Sequence, residues 1–200
     1  ANENTSVNVA ARLGKLENVE RNESSSIGLE IIDKKRKVSL SSTNLNKESL
    51  EELAKNAMSM VKSIPIDEYC GLADKNMLYD GNLDLNLVDN YIPENDDLLN
   101  NSIEAEDSAL NIKGITNTEG ASSSYSKNKF YLATSDGFFN TNDKTNYSTG
   151  ISVIAGKGTK MERDYEYQSK VHFSDLDSPK IIGEKAAERA ISRLNPKKVK

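Results

Sequence analysis

Apolar and polar residues alternate with period two from the start of the chain. Ser6 to Arg12 alternates, Leu13-Gly14 interrupts, and Lys15 to Arg21 alternates again. Two such runs about a short glycine-containing turn predict a β-hairpin. Ile27 to Asp33 and Lys37 to Ser42 predict a second hairpin, turned at Lys34-Lys35-Arg36. Val7, Val9 and Ala11 fall on one face, as do Leu29 and Ile31. Consecutive hairpins with this pattern imply an antiparallel sheet with one buried face.

The period then becomes helical. Leu50, Leu53, Ala54, Ala57, Met58 and Val61 form one stripe, capped by Asn46 and stopped by Pro65. Ile66 to Asp96, rich in Asp, Asn and Tyr, reads as a long connection with little regular structure. A second helix is predicted from Asp97 to about Asn111, with Leu99, Ile103, Ala109 and Leu110 inward. Strands are predicted at Ile115 to Tyr125, Lys129 to Ser135, Thr149 to Gly156 and Met161 to Phe173, with Asn140 to Ser148 as a polar loop. A last helix follows Ser178-Pro179, a cap and a first-turn proline, and carries Ile182, Ala186, Ala190 and Ile191 as its stripe. Asn195-Pro196 ends it. These elements predict an α+β fold: a two-layer α/β sandwich, its sheet largely antiparallel, with helices packed on one face. Both halves read as strands plus helix, so sub-layers 1–111 and 112–200 are expected within one region, 1–200. The start lacks a Met and the end, Ile191 to Lys200, passes from helix into what reads as a linker, so an excised part of a longer protein is expected.

Composition narrows the function classes. Apolar residues make up 36% of the 200, a modest core supply. A net charge of -5 with both signs interspersed argues against a nucleic-acid binder, which would carry a basic face. There is no apolar run of the roughly 18 residues that a membrane helix needs, and no signal-peptide pattern. Cys70 is the only cysteine, so no internal disulfide can form, and a reducing cytoplasm is the expected compartment.

Few residues offer chemistry. His172 is the only histidine and Cys70 the only cysteine, far apart in the chain, so an internal zinc site is short of ligands and His172 reads as structural or surface. Nothing electropositive adjoins Cys70 in Tyr69-Cys70-Gly71-Leu72-Ala73-Asp74, so it reads as a small buried hydrophobe rather than a nucleophile. Glu162, Asp164 and Glu166 share one strand face, read as solvated rather than as an acid–base pair. Arg163, Tyr165 and Tyr167 share the other face, and Arg and Tyr are enriched at interfaces. Thr116-Asn117-Thr118-Glu119-Gly120 reads either as a capped turn or bulge or as a polar edge that pairs with an extended peptide. Gly156-Lys157-Gly158 lacks the rest of a phosphate-loop fingerprint.

Several strings, in order, carry a family resemblance: Ile27-Gly28, Ser41-Ser42-Thr43, Gly71-Leu72-Ala73-Asp74, Thr116-Asn117-Thr118-Glu119-Gly120, Thr134-Ser135-Asp136-Gly137-Phe138, Met161-Glu162-Arg163-Asp164-Tyr165, Ile182-Gly183 and Arg193-Leu194-Asn195-Pro196. Nearly the whole chain resembles the N-terminal region of the TldD/PmbA family, leaning to the PmbA (TldE) branch. The resemblance implies a two-part protein whose β-rich C-terminal domain is absent from this chain. It implies a bacterial or archaeal metallopeptidase that works in pairs, with an older association as a modulator of DNA gyrase. The zinc motif of the TldD branch, His-Glu-x-x-x-His, has no counterpart here, so no catalytic residue and no metal ligand carry over. The implied function is a non-catalytic region of a subunit that pairs with a TldD-type zinc subunit to process or degrade peptides. No cofactor is expected in this chain, with zinc only in the partner, and no direct nucleic-acid or membrane contact. A plain scaffold module and a free-standing carboxylate- or Cys-dependent enzyme are the alternatives. The residues assigned to partner or peptide binding are Thr116, Asn117, Thr118, Glu119, Gly120, Met161, Glu162, Arg163, Asp164 and Tyr165.

Overall fold

The computed structural model describes residues 1–79, 81 and 83–197. Asp80 and Asn82 of the expected connection, and Lys198, Val199 and Lys200 of the expected linker, lie outside the described residues. The strands are β1 (Asn2–Arg12), β2 (Lys15–Asp33), β3 (Arg36–Ser42), β4 (Ile115–Ala133), β5 (Phe139–Ala155) and β6 (Glu162–Lys170). The helices are α1 (Lys47–Met60), α2 (Asn95–Leu110) and α3 (Pro179–Ser192). The strands form one antiparallel sheet in the order β3-β2-β1-β4-β5-β6, and the fold is α+β as expected. Two compact units are assembled from separate stretches. One holds Ala1–Asn4, Glu23–Leu85 and Asn128–Asp143, and the other Thr5–Asn22, Asn86–Lys127 and the residues from Lys144 onward.

In the first unit, α1 starts as its sequence dictates. The Asn46 side chain accepts from the Ser49 N–H at 2.8 Å, which satisfies one of the helix's open donors. Ala57 and Val61 bury against Val38 and the half-buried Leu29, Ile31 and Leu40. The strand register pairs Leu29 with Leu40 and Ile31 with Val38, so these four share one face. Met58, expected in the stripe, is 51% exposed. It lies about 100° around the helix from Ala57, outside the line of Ala57 and Val61 that is fully buried, while Leu50, Leu53 and Ala54 are half-buried. Ile64 is extended before Pro65, as residues before proline prefer.

In the second unit, α2 and α3 cover Ala121, Ile151, Val153 and Ala155. The inward side of α2 is Leu98, Ser102, Ala105, Glu106 and Ala109; of the expected Leu99, Ile103, Ala109 and Leu110, Ala109 is among them and the three bulkier residues are not. The cause is the closeness of α3. A Cβ on Gly183 would stand 2.1 Å from the Ala105 carbonyl oxygen. Only small residues fit such a seam, so Ala105 and Ala109 meet Gly183, Ala186, Ala187 and Ala190, and the bulky residues move to its flanks. Glu106 is fully buried, and one of its oxygens accepts from the Gly14 N–H at 2.9 Å. That bond holds the turn between β1 and β2, where Leu13 (φ 52°) and Gly14 (φ 69°) adopt the left-handed pair that a two-residue hairpin needs.

Three strand expectations change. β4 runs unbroken where two strands were predicted, because Ser126 to Asn128 contains no positive-φ residue and turns nowhere. The predicted loop Asn140 to Ser148 belongs to β5. Its alternation is real but polar: Thr145 and Thr149 are buried, Thr149 pairs with the Ser123 hydroxyl at 3.0 Å, and Thr145 donates to the Val171 carbonyl at 2.9 Å. β6 stops at Lys170 because Phe173–Asp175 forms a 3-10 turn. Tyr147 is also interior, ringed by Tyr91, Tyr125 and Phe173, and burial pushes its hydroxyl up to about 12.

The seam gives a test. Gly183→Ala should gain about 1 kcal/mol of helix propensity yet lose more by overpacking, for a net destabilisation of about 1–3 kcal/mol in urea unfolding. An unchanged or higher midpoint would mean that the helices do not approach this closely.

Candidate functional site

β6 alternates as predicted, but its faces are reversed in exposure. Asp164 and Glu166 are each 8% exposed, whereas Tyr165 and Tyr167 are 56% and 60% exposed. The acidic face is therefore not the solvated one. Its charge is matched by α3: Arg189 pairs with Glu166, and the Arg193 Nε lies 2.5 Å from an Asp164 oxygen. Farther along the same helix, Lys185 lies 2.7 Å from Asp177. That contact, with the Gln168 side chain, holds the Asp177 carboxyl below its ordinary range and raises Lys185. These ion pairs leave Asp164 and Glu166 committed to structure, so they do not form a free acid–base pair.

On β4 the inward residues are Thr118, Ala121, Ser123 and Tyr125. The step of three between Thr118 and Ala121 marks one extra residue, a bulge at Glu119-Gly120, where Gly120 has φ +100°. A Cβ on Gly120 would meet the Ala11 carbonyl oxygen at 2.9 Å. The Thr118 hydroxyl accepts from the Gly120 N–H at 2.8 Å and donates to the Ser152 carbonyl at 3.1 Å, pinning the bulge. The bulge sends Glu119 to the open face of the sheet. There it accepts from the Ser152 hydroxyl at 2.9 Å and pairs with Arg163 at 3.2 Å, joining β4, β5 and β6.

The result is a groove on the open face of this unit. Its floor is small: Asn8 and Ala10 from β1, Ser122 from β4, Gly150 and Ser152 from β5. Arg163, Tyr165 and Tyr167 wall it along β6. Gly150 sits opposite Tyr167 in the ladder, and a Cβ there would lie 3.0 Å from the Tyr167 Cβ. A glycine at this point lets the tyrosine stand over the groove. Glu17 and Glu119 add negative charge opposite the arginine. Such a surface offers aromatic faces, hydrogen-bonding hydroxyls and one guanidinium, which suits binding rather than bond-breaking.

Of the ten predicted residues, the structure brings Glu119, Gly120, Arg163 and Tyr165 into this groove. Thr116 donates to the Gly156 carbonyl at 2.7 Å, and the Asn117 side chain accepts from the Thr118 N–H, so both fix backbone. Asp164 faces α3, Glu162 is half-buried at the start of β6, and Met161 is exposed just before it. The floor was missed by sequence reasoning. Its signal was the small residues Gly150 and Ser152, two apart on β5, beside a strand bearing Tyr165 and Tyr167.

Cys70 is buried. One ring nitrogen of His172 lies 2.8 Å from the Asn86 carbonyl and the other 4.0 Å from Asp89. Asp89 accepts the backbone N–H groups of Tyr91 and Phe173, which lower its pKa. Among the described residues, no three His, Cys, Asp or Glu side chains gather as metal ligands, so the donors present do not fit a zinc site. No described helix is long and apolar enough to cross a membrane.

A family model for PmbA/TldA metallopeptidase domain 1 matches residues 1–61, and one for the PmbA/TldA metallopeptidase central domain matches residues 89–194. The chain belongs to the PmbA/TldD metallopeptidase family. The interval between the two matches falls on the long connection. Metalloprotease PmbA of Escherichia coli O157:H7 is 33% identical over 196 residues, 98% of this chain and 44% of that protein. The Metalloprotease PmbA homolog of Haemophilus influenzae is 32% identical over 195 residues, 96% of this chain and 43% of that protein. The chain thus spans under half the length of these relatives. A proposed modulator of DNA gyrase from Bacteroides thetaiotaomicron superposes with a TM-score of 0.89 at 26% identity, over 100% of this chain and 46% of that one. TldE from Thermococcus kodakarensis shares the fold, with a TM-score of 0.75 at 14% identity over 95% of this chain and 42% of that one.

The bulge can be probed directly. Gly120→Ala should cost about 1–3 kcal/mol, because alanine at positive φ is strained and its Cβ meets backbone. A loss of only a few tenths in thermal or urea melts would show that the Glu119 turn is not held as described.

Proposed function

We propose that this chain is a non-catalytic N-terminal region of a PmbA/TldE-type subunit. It pairs with a TldD-type zinc metallopeptidase subunit in the cytoplasm, and the pair processes or degrades peptides. The β-rich remainder of the relatives lies beyond this chain, and zinc belongs to the partner. The groove between the small floor of β1, β4 and β5 and the Arg163-Tyr165-Tyr167 wall is the docking surface, for the partner subunit or an extended peptide on its way to the partner's site. Thr116, Asn117 and Asp164 act by holding that surface in place, not by touching what docks.

The observation that carries this reading is the outward aromatic and cationic side of β6. Two tyrosines more than half exposed stand over a floor without bulk. Exposed aromatic area of this kind is disfavoured in water unless something covers it, and Tyr and Arg are typical interface anchors. Membership in a metallopeptidase family supports a place in peptide processing.

In the full-length protein, Tyr165→Ala with Tyr167→Ala should leave the melting temperature nearly unchanged, because both side chains are largely exposed. Co-purification with the TldD-type subunit, or peptide cleavage by the pair, should fall by about tenfold or more, the loss of an anchor pair. Arg163→Ala should follow the same pattern, since an exposed ion pair such as that with Glu119 adds only about 0–1 kcal/mol of stability. Variants that assemble and cleave normally would overturn the docking assignment.

A further inference from the structure

What a groove can hold depends on which of its groups are still open. The groove beside the Tyr165-Tyr167 wall lies on a sheet face, and a face offers no backbone partners, because ladder N–H and C=O groups lie in the plane of the sheet. A sheet binds an extended peptide through the main chain at an edge. The β6 edge is occupied by the chain itself. Arg189 donates to the Tyr165 carbonyl at 3.3 Å, and the Gln168 side chain bonds both the backbone and the carboxylate of Asp177. A strand laid on the open face would leave its own N–H and C=O groups without partners from the sheet. An α-helix brings its backbone already bonded.

The floor fits the same occupant. Ala10 of β1, Ser122 and Ser124 of β4, and Ser148, Gly150 and Ser152 of β5 alternate with buried residues of their strands, so all six stand on the open face. These three strands are neighbours, and the largest residue beside the six in the groove floor is Asn8. Strands lie about 4.8 Å apart, so β1 and β5 bound a floor about 10 Å across. That matches the roughly 10–12 Å diameter of an α-helix and is about twice the width of one extended strand. Hydroxyls of the floor are already bonded: Ser124 and Ser148 pair at 2.8 Å, and Ser152 donates to Glu119 at 2.9 Å. Covering a bonded hydroxyl costs far less than covering an unpaired one. The β1–β2 end adds charge. Arg12 and Lys15 flank the hairpin turn, with Glu17 beside them, and none of the three makes an ion pair among the described residues. Two open cations against one open carboxylate favour an acidic side chain on what docks.

We propose that the groove holds an α-helix of the partner subunit, lying along the strands. Its inner stripe carries bulky side chains, and an acidic residue at one end meets Arg12 and Lys15. Bulk on the helix suits a floor without bulk, as large residues interdigitate with small ones across a packed layer. The exposed rings of Tyr165 and Tyr167 close along one flank of the helix. This occupant presupposes the docking role proposed above and excludes the extended peptide.

Crosslink spacing reads the occupant directly. Ser148→Cys and Ser152→Cys are made singly in the full-length protein, in a background without other exposed cysteines. Each is coupled to a short photoreactive crosslinker and assembled with the TldD-type subunit. The two positions are about 13 Å apart along β5. A docked helix covers that distance in about nine residues and an extended segment in about four. Mass spectrometry should find the two crosslinked sites about nine residues apart on one helix of the partner. Arg12→Glu with Lys15→Glu should weaken co-purification about tenfold or more. Ala10→Trp, which fills the floor, should do the same with circular dichroism and melting temperature unchanged. Sites about four residues apart, on the partner or on a peptide substrate, would overturn the helix while leaving the docking role standing. Crosslinks only to the protein's own sequence, within one copy or between two, would overturn the proposal as well. No crosslink from either cysteine, with normal assembly and cleavage in Ala10→Trp, would overturn the docking role itself.

Discussion

The arrangement of this chain turns on the ion pairs between α3 and β6. Arg189 and Arg193 are one helical turn apart, and Glu166 and Asp164 are two strand residues apart. Four helix residues rise about 6 Å and two strand residues about 6.6 Å. The two spacings match, so the arginines meet both carboxylates without distortion. Both acidic side chains are thereby drawn under the helix, and strand alternation leaves no choice for the others: Arg163, Tyr165 and Tyr167 must face outward. The wall of the groove is a consequence of what lies beneath it.

The same unit relies on close backbone approach rather than on bulk. The helices meet through glycine and alanines, and the inner strand positions carry Thr118, Ser123, Thr145 and Thr149, all buried and hydrogen-bonded. A modest apolar content suffices because buried hydroxyls find partners, and an unpaired one would be costly. The bulge at Gly120 belongs to this economy of space. It re-aims Glu119 to the open face, where it ties Arg163 across β5. The polar string at β4 and the charged string at β6 are thus one connected feature on both faces of the sheet.

How much of this was legible in the sequence depended on whether the interior was apolar. The β1–β2 and β2–β3 hairpins, the Asn46 cap and the Ser178-Pro179 start follow directly from alternation and capping chemistry. The inward side of α2 did not, because Leu99 and Ile103 are bulkier than the seam with α3 allows, while Ala105 and a buried Glu106 occupy it. The first half of β5 looked like loop because its inward positions are threonines. On β6 the period was correct and the direction was not. Carboxylates two apart read as wet, and nothing local shows that two arginines some twenty-five residues later will cover them. The candidate groove was legible through Arg163, Tyr165 and Glu119. Its floor of Asn8, Ala10 and Ser122 was not, since small residues announce themselves only once strands from distant stretches are side by side.

Family membership and groove geometry meet at β6, so the orientation of that strand is the claim on which the functional account stands. A double-mutant cycle on Asp164→Asn and Arg193→Gln, followed by urea unfolding, measures it most directly. A buried carboxylate bonded to a half-exposed arginine should give a coupling of about 1–3 kcal/mol, above the range of surface pairs. Additive effects within a few tenths would contradict the account, because Asp164 would then be solvated and the tyrosines of β6 would have no reason to face the groove.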